Sequence, residues 1–165
     1  MIEHAGVRTM LPHGHPMVLV DRVVAVEPGK RIETLKAISA TDPCFEGVPA
    51  NAPRDWYGYP VSLLIESFGQ SAALLWILSG TGSLEELDLL PVFAAASNCE
   101  IEGRAIPGDV LRHVVRIDRS YDDFAFVSGE TFVDERRLMT VGSMAAASVP
   151  AESLEIPTGH QAGRL

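Results

Sequence analysis

Alternating apolar and polar positions, rich in β-branched residues and broken by turn signals, mark six strand segments in this chain. They are Met17 to Glu27, Arg31 to Ala40, Leu90 to Ile101, Asp109 to Ser120, Asp123 to Val133 and Arg137 to Val149. Pro28-Gly29, Pro107-Gly108, Tyr121-Asp122 and Asp134-Glu135 lie between or before them, and the last three segments run as consecutive hairpins. In the fourth segment Leu111, His113, Val115 and Ile117 alternate with Val110, Arg112, Val114, Arg116 and Asp118. One face is therefore apolar and the other charged, the pattern of a sheet with one side on a core.

Val61 to Leu78 follows a different rule. Ser62, Glu66 and Gln70 recur every four residues, which stacks them on one face of a helix, while the rest is apolar nearly all round. The stretch is about long enough to cross a bilayer, but a carboxylate at mid-span is costly in lipid, so a buried helix rather than a membrane span is expected. Two strands, one long helix and four more strands predict an α+β domain: a curved antiparallel sheet of about six strands wrapped around a central helix. Residues 1–149 form this single domain, and Pro150 to Leu165, with Pro157, Gly159 and Gly163, is expected to be a flexible tail.

Charge and composition remove several classes of function. With 13 Lys and Arg against 22 Asp and Glu, the formal charge is −9, so bulk charge offers no basic face for nucleic acid or anionic lipid. Cys44 and Cys99 lack the paired spacings that hold zinc or build a disulfide framework, and they suit a reducing compartment. The opening residues, Met1 to Arg8, show no basic start followed by an apolar run, and a cytoplasmic location is expected. His13-Gly14-His15 sets two imidazoles close together, yet a metal site wants a third ligand and none is implied. His113 falls on the apolar register of its strand and reads as a satisfied core residue, and Cys44 reads as a small buried thiol.

Short motifs then carry a resemblance. Leu11-Pro12-His13, Val18-Leu19-Val20-Asp21-Arg22-Val23 and Glu27-Pro28-Gly29-Lys30-Arg31-Ile32 resemble the opening of the FabZ/FabA-like 3-hydroxyacyl-(acyl-carrier-protein) dehydratases of fatty-acid synthesis. Pro43-Cys44-Phe45-Glu46-Gly47 is similar to that family's loop before the active site. Leu64-Ile65-Glu66-Ser67-Phe68-Gly69-Gln70-Ser71-Ala72-Ala73 is similar to its central helix, and Ala105-Ile106-Pro107-Gly108-Asp109 to its Pro-Gly-Asp turn. The resemblance implies the hotdog fold, paired edge to edge as a dimer. It also implies acyl substrates carried on the phosphopantetheine of acyl carrier protein, with no bound cofactor and no metal.

The departures from that pattern bear most on function. Where the family reads Gly-His-Phe-Pro, this chain reads Gly47-Val48-Pro49, so the position of the catalytic His is held by Val48, which has no titratable group. About four extra residues follow, and Asn51 to Tyr59 replaces a short turn. The family's Pro-Gly at the helix start becomes Pro60-Val61, whose backbone N–H still suits a thioester oxygen. By resemblance Glu66 is the catalytic carboxylate, and its apolar surroundings predict a raised pKa. Gln70, Phe45, Trp56 and Tyr59 are candidates for substrate contact, although Trp56, Tyr57 and Tyr59 equally suit a role as packing for the rebuilt loop. In the family each site pairs the His of one subunit with the Glu of the other, which predicts a His-lacking subunit of a heterodimeric dehydratase in a fatty-acid-like or polyketide-like pathway. The alternatives are a homodimeric dehydratase or isomerase using Glu66 alone, and a non-catalytic module that binds acyl chains or carrier protein. Carrier proteins are acidic, so docking calls for a local cationic patch. Arg112, Arg116 and Arg136-Arg137 are candidates, with pairing to nearby acids as the competing reading.

Overall fold

A computed structural model describes residues 1–80, 89–121 and 124–150. A short helix α1 (His4–Met10) precedes β1 (Arg22–Glu27) and β2 (Arg31–Ala37), and the long helix α2 (Val61–Leu78) follows. Then come β3 (Leu89–Ile101), β4 (Val110–Ser120), β5 (Phe124–Val133) and β6 (Arg136–Pro150). The strands form one sheet in the order β1-β2-β4-β5-β6-β3, with every neighbouring pair antiparallel. This is the hotdog arrangement, a long helix held in the hollow of a curved sheet. Beyond Pro150 the expected flexible tail lies outside the described residues.

Burial sets α2 in place from two sides. Phe68, Leu74 and Leu75 are fully buried and belong to one core with Ile32, Leu111 and Val115 of the sheet. A polar layer crosses this core. Thr34 Oγ1 and Ser71 Oγ lie 2.7 Å apart, and His113 bridges Ser67 Oγ (3.0 Å) and Thr131 Oγ1 (2.8 Å). These bonds tie α2 to β2, β4 and β5 at defined positions, because an unmade bond at such depth costs about 1–3 kcal/mol. Burial pushes the His113 pKa down to about 3, so the ring is a neutral crossbeam, the satisfied core residue that its register predicts. With Ser67 and Ser71 pinned to the sheet, the Glu66 and Gln70 stripe is turned another way around the helix.

Two sequence expectations shift. The first strand begins at Arg22 rather than Met17, because residues 11–21 form a strap over α2 in which Met17 and Leu19 bond to a helix side chain, and only Asp21, at its end, reaches the second strand at the Leu35 carbonyl. The second strand ends at Ala37 rather than Ala40; beyond it Ile38 pairs with the Gly108-Asp109 turn. Helix α1 carries no strong periodic signal in seven residues and was not anticipated. It is held through Val7, which is fully buried, and its leading residue Ile2 bridges to Val23.

Candidate active site

Glu66 sits on α2 beneath the strap, where both of its identified donors come from its own chain. His13 Nε2 lies 3.2 Å from Glu66 Oε1, and the Gln70 side-chain N–H donates to the same oxygen at 2.9 Å. Gln70 is fully buried and uses both of its N–H donors: the second donates to the Met17 carbonyl at 2.7 Å, and its oxygen accepts the Leu19 N–H at 2.8 Å. One amide thus nails the strap to the helix and fixes the carboxylate at i−4. The strap in turn presents His13. Nδ1 of that ring is buried with no partner among the described residues, so the tautomer that fits carries its proton on Nε2, where it is donated to Glu66.

This geometry reverses the expected electrostatics of Glu66. Burial does push its pKa up, but the hydrogen bond from His13 outweighs it, the Gln70 bond adds to that, and the net shift is downward. The carboxylate, 30% exposed, is thereby held ionised and ready to accept a proton. Both donors converge on Oε1, which leaves Oε2 as the oxygen facing away from them. The raised pKa predicted from apolar surroundings is corrected for this reason: periodicity showed the burial, but not the donor that arrives from 53 residues away.

Val61 is the first residue of α2, after Pro60 at the cap. No side chain caps the helix start, and the first N–H groups of a helix have no acceptor within it. Val61 is about half exposed and lines a cavity of about 250 Å³ together with Tyr59, Leu64 and Arg104. Arg104, which was not among the expected cations, holds its guanidinium 3.4 Å from the Asp55 carbonyl and 4.0 Å from its carboxylate. The helix end is thus open, with the Arg104–Asp55 pair beside it and the helix dipole's positive end facing the cavity.

The rebuilt loop is the opposite case. Gly47, at φ +81°, turns the chain, and Val48 follows with its side chain half-buried against the core. Phe45 is buried beneath Tyr57 and Tyr59, with ring centroids at 6.3 and 6.5 Å, and the inserted residues close as a short 3-10 turn (Arg54–Tyr57). Phe45 and Tyr59 therefore pack the loop. Tyr59 also lines cavities on two sides. Trp56 stands 60% exposed on the turn. The candidate docking cations are engaged: Arg112 with Glu33 (3.3 Å) and the Phe132 ring, Arg116 with Glu130 (3.0 Å), and Arg137 with Glu102 (2.6 Å). Arg136 donates to the Arg104 carbonyl at 3.3 Å.

His13 is the site residue that sequence reasoning missed. The signal was present in Leu11-Pro12-His13, but pattern alone could not show that the strap folds back over Glu66.

Comparison with known proteins agrees with this architecture. A FabA-like domain matches residues 11–142. The chain is 30% identical over 146 residues to the 3-hydroxyacyl-(acyl-carrier-protein) dehydratase FabZ of Actinobacillus pleuropneumoniae serotype 5b, covering 88% of this chain and 91% of that one. It is 34% identical over 130 residues to FabZ of Variovorax paradoxus, covering 75% and 79%. Among solved structures, the dehydratase heterocomplex ApeI:P from Xenorhabdus doucetiae has the same fold, with a TM-score of 0.72 at 19% identity over 90% of this chain and 93% of that one. The match from Leu11 to Gly142 takes in the strap, the altered loop and α2, and the chain belongs to the FabA-like family of hotdog proteins.

Proposed function

We propose that this chain is the His-lacking subunit of a heterodimeric dehydratase, contributing Glu66 to a composite site with a His-bearing hotdog homologue. The observation that carries this reading is the contrast between a carboxylate held ionised by two donors and a loop whose His position is an aliphatic side chain packed on the core. The relatives named FabZ point to 3-hydroxyacyl thioesters of acyl carrier protein as substrate, and the acyl chain arrives on phosphopantetheine with no further cofactor.

Dehydration moves two groups. The α-proton leaves to a base, the Cα–Cβ double bond forms, and the β-hydroxyl departs as water after taking up a proton. Glu66 is in the form that accepts a proton. The partner's imidazole supplies the complementary group, and the uncapped N–H of Val61 stabilises charge on the thioester oxygen. Docking of the acidic carrier protein rests on the partner, since Arg104, Arg112 and Arg116 are each paired with a carboxylate on this chain.

The free edge of β3 supports a partner chain. Among the described residues this strand ends the sheet, its residues 94–101 are exposed, and an edge of that length is a template for strand pairing. A second reading, a homodimer working through Glu66 alone, is favoured by one fact: His13 and Gln70, which tune the carboxylate, belong to the same chain as Glu66. Turnover of 3-hydroxyacyl carrier-protein thioesters separates the two. The purified chain alone is expected to give little or none, and mixing with a His-bearing homologue restores it. Robust turnover by the chain alone selects the homodimer.

A further inference from the structure

The cavity at the start of α2 has a second donor on its wall besides the Val61 N–H. Its volume, about 250 Å³, exceeds the roughly 150 Å³ that accommodates a benzene ring and falls short of the roughly 300 Å³ at which whole small-molecule pockets begin. It therefore admits a short segment of a chain. Leu64 and Leu138 give it apolar wall, while Asp55, Gly58 and Arg104 give it a polar side.

Arg104 is guided along its length by its neighbours. Arg136 donates to its backbone carbonyl at 3.3 Å, with the Arg136 guanidinium so close over Gly103 that a Cβ there would stand 2.6 Å from Nη1. The stem of Arg104 passes over Gly58, where a Cβ would stand 3.4 Å from its Cδ. The head ends at Asp55: Nη1 donates to the Asp55 carbonyl at 3.4 Å and stands 4.0 Å from the carboxylate. Both contacts use the same nitrogen. A guanidinium has five N–H groups to give, and Nε and Nη2 bond to none of the described residues. The side chain is 68% exposed, so a molecule entering the cavity can reach it.

Unspent donors select an acceptor, and the charges decide its kind. Asp55, itself 86% exposed, balances the charge of Arg104, so an anionic ligand gains little net attraction. A neutral carbonyl oxygen takes a free N–H without that handicap. The substrate class already argued for brings such an oxygen close by. In an acyl-pantetheine thioester the first amide carbonyl follows the thioester carbonyl after a sulfur, two methylenes and a nitrogen. With the thioester oxygen at the Val61 N–H, that amide has the Arg104 side of the same small space within reach.

We infer that Arg104 is a substrate-binding residue whose guanidinium donates to the first amide carbonyl of the pantetheine arm, and that it selects this neutral acceptor over an alkyl or a carboxylate group at the same place. The inference rests on the acyl-thioester reading, with Val61 at the thioester oxygen, and adds the part of the carrier arm that this chain recognises. Arg104 thus acts on the arm rather than on the surface of the carrier protein.

The test uses thioesters that cannot dehydrate, titrated into the full chain and followed by NMR. S-butyryl-N-acetylcysteamine has the amide, S-pentyl thiobutyrate replaces it with methylenes, and the butyryl thioester of 4-mercaptobutanoate puts a carboxylate in its place. The amide ligand is expected to bind the wild type about fivefold more tightly than the pentyl one, the size of one hydrogen bond, with the carboxylate ligand no tighter than the amide. Arg104→Leu keeps a stem and removes the donors. It should erase the amide preference, leave the pentyl ligand unchanged and melt with the wild type, because the pair it breaks is exposed. Asp55→Asn unbalances the charge and should raise the carboxylate ligand about threefold relative to the amide one. Equal affinity for the amide and pentyl ligands in the wild type, or an amide preference that survives in Arg104→Leu, overturns the inference and leaves the acyl-thioester reading standing. N-pentylacetamide, which has the amide and no thioester, is the second probe. If it binds in an Arg104-dependent way while no thioester binds, the Arg104 contact stands and the thioester reading fails. Absence of any Arg104-dependent binding overturns the inference.

Discussion

The strap over Glu66 and the loop around Val48 sit on the same fold, yet they are built to different ends. Where the strap crosses Glu66 its bonds converge on the carboxylate: Gln70 bonds Met17, Leu19 and Glu66 at once, and His13 is the second donor. In the loop the side chains lead inward to one another, with Phe45 against Tyr57 and Tyr59 and with Val48 on the core. The carboxylate on the strap side is held ionised against the cost of burial. The difference teaches that the donors gather around one carboxylate while the loop's side chains gather around one another, which is the division that the proposed composite site needs.

The largest effect should come from the kept half. In a complex with a His-bearing homologue, Glu66→Gln is expected to lower dehydration on the order of 100-fold or more, the usual size of an acid–base contribution. The equivalent change in the partner's own helix should leave most of the activity, because in the proposed composite arrangement that carboxylate would face Val48. Activity of the two single-substituted complexes is the measurement. A silent Glu66→Gln beside an essential partner carboxylate would make this chain a scaffold.

Next in size is the brace. Gln70→Ala leaves the Leu19 N–H and the Met17 carbonyl without their partner and opens a hole at a fully buried position. The expected loss is about 3 kcal/mol of stability, read from urea or thermal unfolding. Activity of the surviving folded fraction should fall as well, since the strap and Glu66 are released together.

Much of this contrast was legible in the sequence, and the rest was hidden for definite reasons. The span of α2 was readable to the residue, because an apolar stretch opened by Pro60 and closed near Ser79-Gly80 has few other ways to fold. The hairpins β4, β5 and β6 followed from alternation and turn residues to within a residue or so. Val48 and Glu66 stood out by resemblance. The strap did not, since Met17 to Val20 is apolar and β-branched like a strand, and what diverts its backbone at Met17 and Leu19 is the buried side chain of Gln70, a distant residue. The sign of the Glu66 shift failed for a related reason: burial is local and visible in a pattern, whereas the His13 donor is a contact between distant segments.

His13 offers a smaller and more specific effect. His13→Phe keeps a ring in the strap and removes the donor that does most to lower the Glu66 pKa. The folded carboxylate should then titrate at higher pH. For a group whose folded pKa is depressed, the stabilisation is present above its unfolded value and lost as pH falls through the folded one. The variant gives up that benefit, so its stability should approach the wild type's at low pH and fall short of it near neutrality. In the composite enzyme the acid limb of the pH–rate profile should move upward, with at most about a tenfold loss at the wild-type optimum. An unmoved acid limb would show that Glu66 is not tuned from the strap.

The smallest expected effect is also the most direct probe of the altered half. Val48→His restores the missing residue type at the position where the family keeps it, and a simple point loss would be repaired by it. The surroundings argue otherwise. Val48 follows a left-handed Gly47 and is half-buried against apolar neighbours, so an imidazole there exchanges solvent for a core that offers it no donor or acceptor among the contacts seen. About four additional residues separate it from Glu66, and a misplacement of about 1 Å is enough to cost 100-fold in rate. Activity of the chain alone is therefore expected to change by less than about twofold, within assay scatter. Stability should drop slightly for the poorer packing. If Val48→His instead gives a homodimer that dehydrates at ordinary enzyme rates, the loop has kept its catalytic geometry. The division between a working half and a packed half would then reduce to one side chain.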